Sequence, residues 1–221
     1  MALRESLRSM DLERIALTPI FSGMIVISAR NLLTQGSASL HTGGIVKVLT
    51  MLYGGMLVAF YVLFVALLLT RSDAKAASPE ILPRIAAYAG TFAPFLLAFA
   101  ESMTVPPSLS VIAVSIQALG LGFTLYSLAA LRRNFGVAPQ VRTLVRKGPY
   151  RYIRHPLYVG ETVVLIGAVL MGPSWQKMAI LIMIVTLQMY RAIQEERLIS
   201  AHLPEYAEYM TWTKRFVPGL F

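Results

Sequence analysis

The stretch KGPYRYIRHPLYVGE, residues 147–161, gathers Lys147, Arg151, Arg154 and His155 just ahead of an apolar run, interleaved with Tyr150, Tyr158 and prolines. Pro156 is suited to the first position of a helix, where its missing N–H leaves nothing unpaired. The free N–H groups of that first turn carry a partial positive charge. Gly148 permits a tight turn beforehand. A polar ligand can be held between such a loop and the helix start. Further on, Arg191 and Glu195 stand four residues apart and so share one helix face, where an apolar run ends. A charged pair there is expensive unless it faces protein, a cavity or a ligand. Each feature has a plainer alternative: a basic flank that sets topology, a structural salt bridge, tyrosines of an interfacial belt. His41, His155 and His202 show no metal-ligand spacing, and the chain has no cysteine, so no metal site is expected.

The elements that must position these groups are membrane helices. Of the 221 residues, 56% are hydrophobic and 14% charged, against about 25% charged in a soluble domain. Mean hydropathy is +0.63. A net charge of +9 would point to nucleic acid in a soluble protein. In so apolar a chain it points to anionic lipid headgroups and a positive-inside bias, with no nucleic-acid partner. The first residues mix acids with bases and lack a cleavable apolar core, so that segment is expected to be retained.

Apolar runs predict an all-α integral membrane protein of about six transmembrane helices: 15–33, 45–70, 85–100, 109–131, 157–171 and 175–190. The last two, separated only by Gly172, Pro173 and Ser174, read as a tight helical hairpin. Ala86 and Gly90 are spaced for a close helix contact. Residues 194–221 read as an amphipathic cytoplasmic segment with a second short helix after Pro204. Residues 1–131 form the N-terminal helices, and 132–221 hold the chemistry. With six spans, seventeen of the twenty Lys and Arg fall on the side of the N-terminus, the second and fourth loops and the tail. Arg30, Lys47 and Lys177 alone fall on the other. Both termini are therefore expected in the cytoplasm.

Residues 134–221 resemble the isoprenylcysteine carboxyl methyltransferase family. The resemblance lies in the order of Asn134-Phe135, Leu144-Val145, Gly148-x-Tyr150, Arg154-His155-Pro156-x-Tyr158, Glu195-Glu196, and Tyr206-x-x-Tyr209 ahead of Arg215 and Pro218. It implies an S-adenosylmethionine pocket made by the loop, the following helix starts and the tail, with a lipophilic acceptor entering from the bilayer. The implied cofactor contacts are Gln140, Arg142, Thr143, Leu144, Val145, Tyr150, His155, Pro156, Leu157, Tyr158 and Glu195. The implied acceptor-positioning residue is Arg191. At Arg142 the family often has histidine; arginine cannot act as a neutral acceptor there, though it can reach a carboxylate or phosphate.

Methyl transfer to a carboxylate needs alignment and exclusion of water rather than a general base, because the acceptor is already ionised at pH 7. A phospholipid or small-lipid N-methyltransferase is the nearest rival; its ammonium acceptor would need a base, for which Glu161 and Glu196 are candidates. An NADPH-dependent sterol-type reductase and a non-enzymatic membrane scaffold are rivals of other classes.

Overall fold

The computed structural model describes residues 12–38 and 44–219 of the chain. His41, Arg4 and Arg8 lie outside the described residues. In chain order the elements are α1 (Leu12–Ala38), α2 (Ile45–Thr70), β1 (Ala76–Ala77), α3 (Ile81–Phe92, continued by a 3-10 segment Ala93–Ala98), α4 (Pro107–Leu131), β2 (Gln140–Val141), α5 (Pro156–Leu170), α6 (Trp175–His202) and α7 (Glu205–Trp212). The helices α1, α2, α3 with its 3-10 extension, α4 and α6 are long and apolar enough to cross a membrane. The protein is an all-α integral membrane protein.

Several expected boundaries move, and the first helix runs over Leu12–Ala38 rather than 15–33. The third helix begins at Ile81 and tightens to 3-10 geometry at Ala93, because Pro94 has no N–H for an α-helical bond. The last long helix runs past Tyr190 to His202. Its added turns are mostly good helix formers, and Pro204 follows its end. α5, at 15 residues, spans only about 22 Å. Even so, its far end reaches the connection between α3 and α4: a side chain at Gly172 would meet Ser102 Cβ at 3.0 Å. Ser174 caps α6 by accepting from the Lys177 N–H.

Helices in lipid gain little from leaving one apolar medium for another, so they associate by close packing. α1 and α2 interlock through Leu17, Phe21, Tyr61, Phe64 and Leu68. The Phe21 and Phe64 rings stack at 4.1 Å, and Phe135 meets Phe64 edge-on at 4.8 Å. α4 and α5 meet along a glycine seam. A Cβ on Gly160 would lie 2.4 Å from Thr124 Oγ1, one on Gly120 2.7 Å from the Val164 nitrogen, and one on Gly167 2.6 Å from Gln117 Cγ. Of the Ala86 and Gly90 pair, both buried, Gly90 faces α6 and leaves room for the Arg191 guanidinium, 3.3 Å from where a Cβ would be.

Candidate active site

The start of α1, the segment after α2, the 132–155 loop and the end of α6 gather at one end of the bundle. The loop is pinned there at several points. Glu13 Oε1 accepts from the backbone N–H groups of Val137 and Ala138 at 2.8 and 2.9 Å, while Arg71 holds Glu13 Oε2. Asn134 Oδ1 accepts from the Thr143 N–H and hydroxyl. β1 and β2 pair antiparallel, Ala76 with Val141 and Ala77 with Gln140. Arg142 donates to the Ser72 carbonyl at 2.8 Å and to Gln140 Oε1 at 2.6 Å. Its guanidinium thus joins the loop to the segment after α2 as well as lining the cavity described below.

The tail closes over the loop. Backbone bonds run from the Arg154 and His155 N–H groups to the carbonyls of Lys214 and Arg215. Glu196 stands behind this strap. It accepts from Arg154 Nε at 2.8 Å, faces His155 Nε2 at 3.0 Å and binds Arg215 through both oxygens. Tyr209 donates to the Tyr150 carbonyl. Burial pushes the Tyr209 phenol up to about 12 and raises that of Tyr150 well above its usual value, so both phenols stay protonated throughout the physiological range. The tail's buried face of Tyr206, Tyr209 and Thr213 therefore packs against the loop; only its other face is left for an interface role.

A cavity of about 410 Å³ opens among these parts, a size that fits small-molecule sites. Gln140, Arg142, Thr143, Leu144, Val145, Tyr150, His155, Leu157, Tyr158, Arg191 and Glu195 all line it. Pro156 is buried at the first turn of α5 and is not among the lining residues. On α6, the stripe of Gln188, Arg191, Glu195 and Ile199 faces the cavity at helical spacing. Tyr158 contacts three of these groups: it donates to Glu195 Oε1, its ring stacks on His155 at 5.4 Å, and the Arg191 guanidinium carbon lies 5.0 Å from the ring centroid. Arg191 donates to the Val137 carbonyl at 3.1 Å, while its Nε is buried with no hydrogen-bond partner.

The cavity's other half comes from helices whose sequence reads only as apolar spans. Tyr53, Leu57, Phe60, Tyr61 and Phe64 of α2, with Thr91 and Phe95 from α3 and its extension, form an aromatic wall. Their spacing along α2 is a helical stripe, a signal present in the sequence. Glu161 also lines the cavity and accepts from Gln188 Nε2 at 3.0 Å. Glu196, a sequence candidate for a base alongside it, is turned away and held by three cationic or imidazole groups. His202 is exposed and bonds the Leu198 carbonyl.

The donor set fits S-adenosylmethionine. Glu195 offers a carboxylate, about a quarter exposed, for hydroxyls or an amine. Tyr158 and His155 offer ring faces for a flat or sulfonium-bearing group, and Gln140 and Thr143 add polar atoms.

Comparison with known proteins places this geometry. Residues 109–205 match the phospholipid methyltransferase family model. The fold is that of the eukaryotic intramembrane Ras methyltransferase, isoprenylcysteine carboxyl methyltransferase: TM-score 0.53 over 86% of this chain and 73% of that one, at 20% identity. The resemblance carried by the C-terminal motifs thus extends to the architecture of the bundle. Curated relatives include the cobalt-zinc-cadmium resistance protein CzcN of Cupriavidus metallidurans, 40% identical over 80 residues, which are 35% of this chain and 37% of that protein. The nickel-cobalt-cadmium resistance protein NccN of Alcaligenes xylosoxydans xylosoxydans is 36% identical over 103 residues, 45% of this chain and 48% of that protein. The chain thus spans less than half the length of either relative. Among the described residues no group of His, Asp or Glu is placed to hold a metal ion.

Proposed function

We propose that this chain is a membrane-embedded methyltransferase that moves a methyl group from S-adenosylmethionine to a lipophilic acceptor, with a carboxylate as the accepting group. One observation carries the choice of acceptor. Arg191 stands where the polar and aromatic halves of the cavity meet, buried, with an unpartnered Nε. A carboxylate arriving from the aromatic side would meet this cavity-lining guanidinium in a charge-assisted contact. The fold and the family match support the reaction class.

When bound, the cofactor supplies a methyl carbon already activated by a sulfonium. Glu195, Gln140 and Thr143 would hold its polar groups, and Tyr158 and His155 would pack against it. Arg191 would orient the acceptor's carboxylate. The aromatic wall of α2 and α3 would strip water from it, strengthening the alignment on which such a displacement depends. No proton need move, since the acceptor is ionised.

N-methylation of a phospholipid is a second reading, favoured by the family model and by Glu161, a carboxylate facing the cavity that could take a proton from an ammonium acceptor. The segregation of basic residues supports a cytoplasmic side for the site and both termini, beside anionic headgroups. A single cysteine at Asp73 should resist an impermeant thiol reagent applied to intact cells, while one at Thr104 should react; the reverse pattern inverts the topology. Calorimetry of the full chain in detergent tests the cofactor. S-adenosylmethionine should bind and NADPH should not. Binding of NADPH alone, or of neither, contradicts the proposal.

A further inference from the structure

Glu13 lies on α1, outside the region whose motifs carry the resemblance, yet its buried carboxylate is bonded to the site's loop. The peptide unit between Val137 and Ala138 is held at both ends. Its N–H donates to Glu13 Oε1 at 2.9 Å, and its C=O accepts from Arg191 Nη2 at 3.1 Å. The Val137 N–H gives Glu13 a second bond at 2.8 Å. A peptide unit is planar and stiff, so the direction in which its carbonyl points is fixed by what holds its N–H. The other half of the loop, 140–143, is anchored separately by the β1–β2 pairing, by Asn134 and by the Arg142 bond to Ser72.

We infer that Glu13 is a positioning residue: through the Val137–Ala138 peptide it aims the Arg191 guanidinium, and so sets the acceptor end of the site without setting the cofactor end. This rests on the methyltransferase reading. The ion pair with Arg71 is then a support for Glu13 rather than part of the device, and the part that matters is an oxygen acceptor facing two N–H groups.

Two double variants separate these parts. Glu13→Gln with Arg71→Met removes the ion pair but leaves an amide oxygen for the loop. Glu13→Ala with Arg71→Met removes both. The full chain in detergent is given labelled S-adenosylmethionine and graded amounts of a total lipid extract. Relative to the glutamine form, the alanine form should lose about tenfold in transfer at limiting extract, a misplaced acceptor forfeiting alignment, while calorimetric affinity for S-adenosylmethionine stays within about twofold. Hydrogen exchange at the Val137 and Ala138 amides should be faster in the alanine form alone. Equal transfer by the two forms, or equal protection of the two amides, overturns the inference. So does a loss of transfer matched by an equal loss of cofactor affinity, the mark of general loosening. A wild-type chain that binds the cofactor but transfers no methyl group to any extract overturns the methyltransferase reading itself, and the inference with it.

Discussion

Arg191 and Glu195, one turn apart on the same face of α6, are bonded to different partners. Arg191 donates to the Val137 carbonyl and lies against the Tyr158 ring, while Glu195 accepts from the Tyr158 hydroxyl. Tyr158 stands between them, and the two charges face the same cavity from adjacent levels. The spacing that in a surface helix makes an ion pair here gives two separately held groups.

Divided partners imply divided phenotypes. Glu195→Gln should weaken S-adenosylmethionine binding by about 1.5–3 kcal/mol, the usual range for hydrogen bonds to a charged group. Arg191→Ala should leave that affinity nearly intact and lower methyl transfer by about 10²-fold, the scale on which lost alignment acts. Calorimetry and turnover on the same detergent preparations read both. Two folded variants with matching losses in affinity and turnover would show that the charges act as one unit.

Glu196 has a structural part distinct from its neighbour's. It is the shared acceptor of Arg154, His155 and Arg215, and these contacts hold the tail strap on the loop. Removing one member of a buried charge cluster leaves the others uncompensated, at a cost of roughly 3–5 kcal/mol. Glu196→Gln should therefore lower the melting temperature in detergent far more than Glu195→Gln does. It should also make the segment after Trp212 accessible to protease. An unchanged melting temperature and an uncut tail would contradict this.

The glycine seam between α4 and α5 makes a contrasting prediction. Gly160→Ala forces a methyl group to within 2.4 Å of Thr124 Oγ1 and 2.9 Å of the Thr124 nitrogen. Overpacking against backbone costs about 1–3 kcal/mol. Gly55→Ala, with nothing within 4 Å of the added carbon, should instead be neutral or stabilising by up to about 1 kcal/mol from helix propensity. Thermal unfolding of the two variants side by side checks the seam; equal effects would mean that the helices do not meet there.

What could be read from sequence was whatever local chemistry fixes. The apolar runs gave the helices, Pro156 gave the start of α5, and the 144–158 motifs with Arg191 and Glu195 identified groups that share one cavity. Pairings between distant segments carried no such trace. Glu13 finds Val137 and Ala138 across more than a hundred residues, and no property of a lone glutamate near the start of a helix announces two backbone partners. Arg142 looks in sequence like a free cation for a ligand, but the β1–β2 pairing brings the Ser72 carbonyl and Gln140 to it. Glu195 and Glu196 are chemically identical neighbours. Only the helix's rotation, which turns one toward the cavity and the other toward the tail, tells them apart. The Tyr53 to Phe64 stripe was visible as a helical face, but an apolar face in a membrane helix does not say whether lipid, protein or a cavity lies opposite it.

The most direct measurement is the fate of a labelled methyl group. The purified chain is incubated with methyl-labelled S-adenosylmethionine and a total lipid extract, and the labelled lipid is then treated with mild base. Label should enter the lipid fraction, should be released by base as expected of a methyl ester, and should fall by about 10²-fold with Arg191→Ala. Label that enters the lipid and resists base would contradict the carboxylate acceptor and establish transfer to nitrogen. No label in the lipid fraction, from a chain shown to bind the cofactor, would contradict the methyltransferase function.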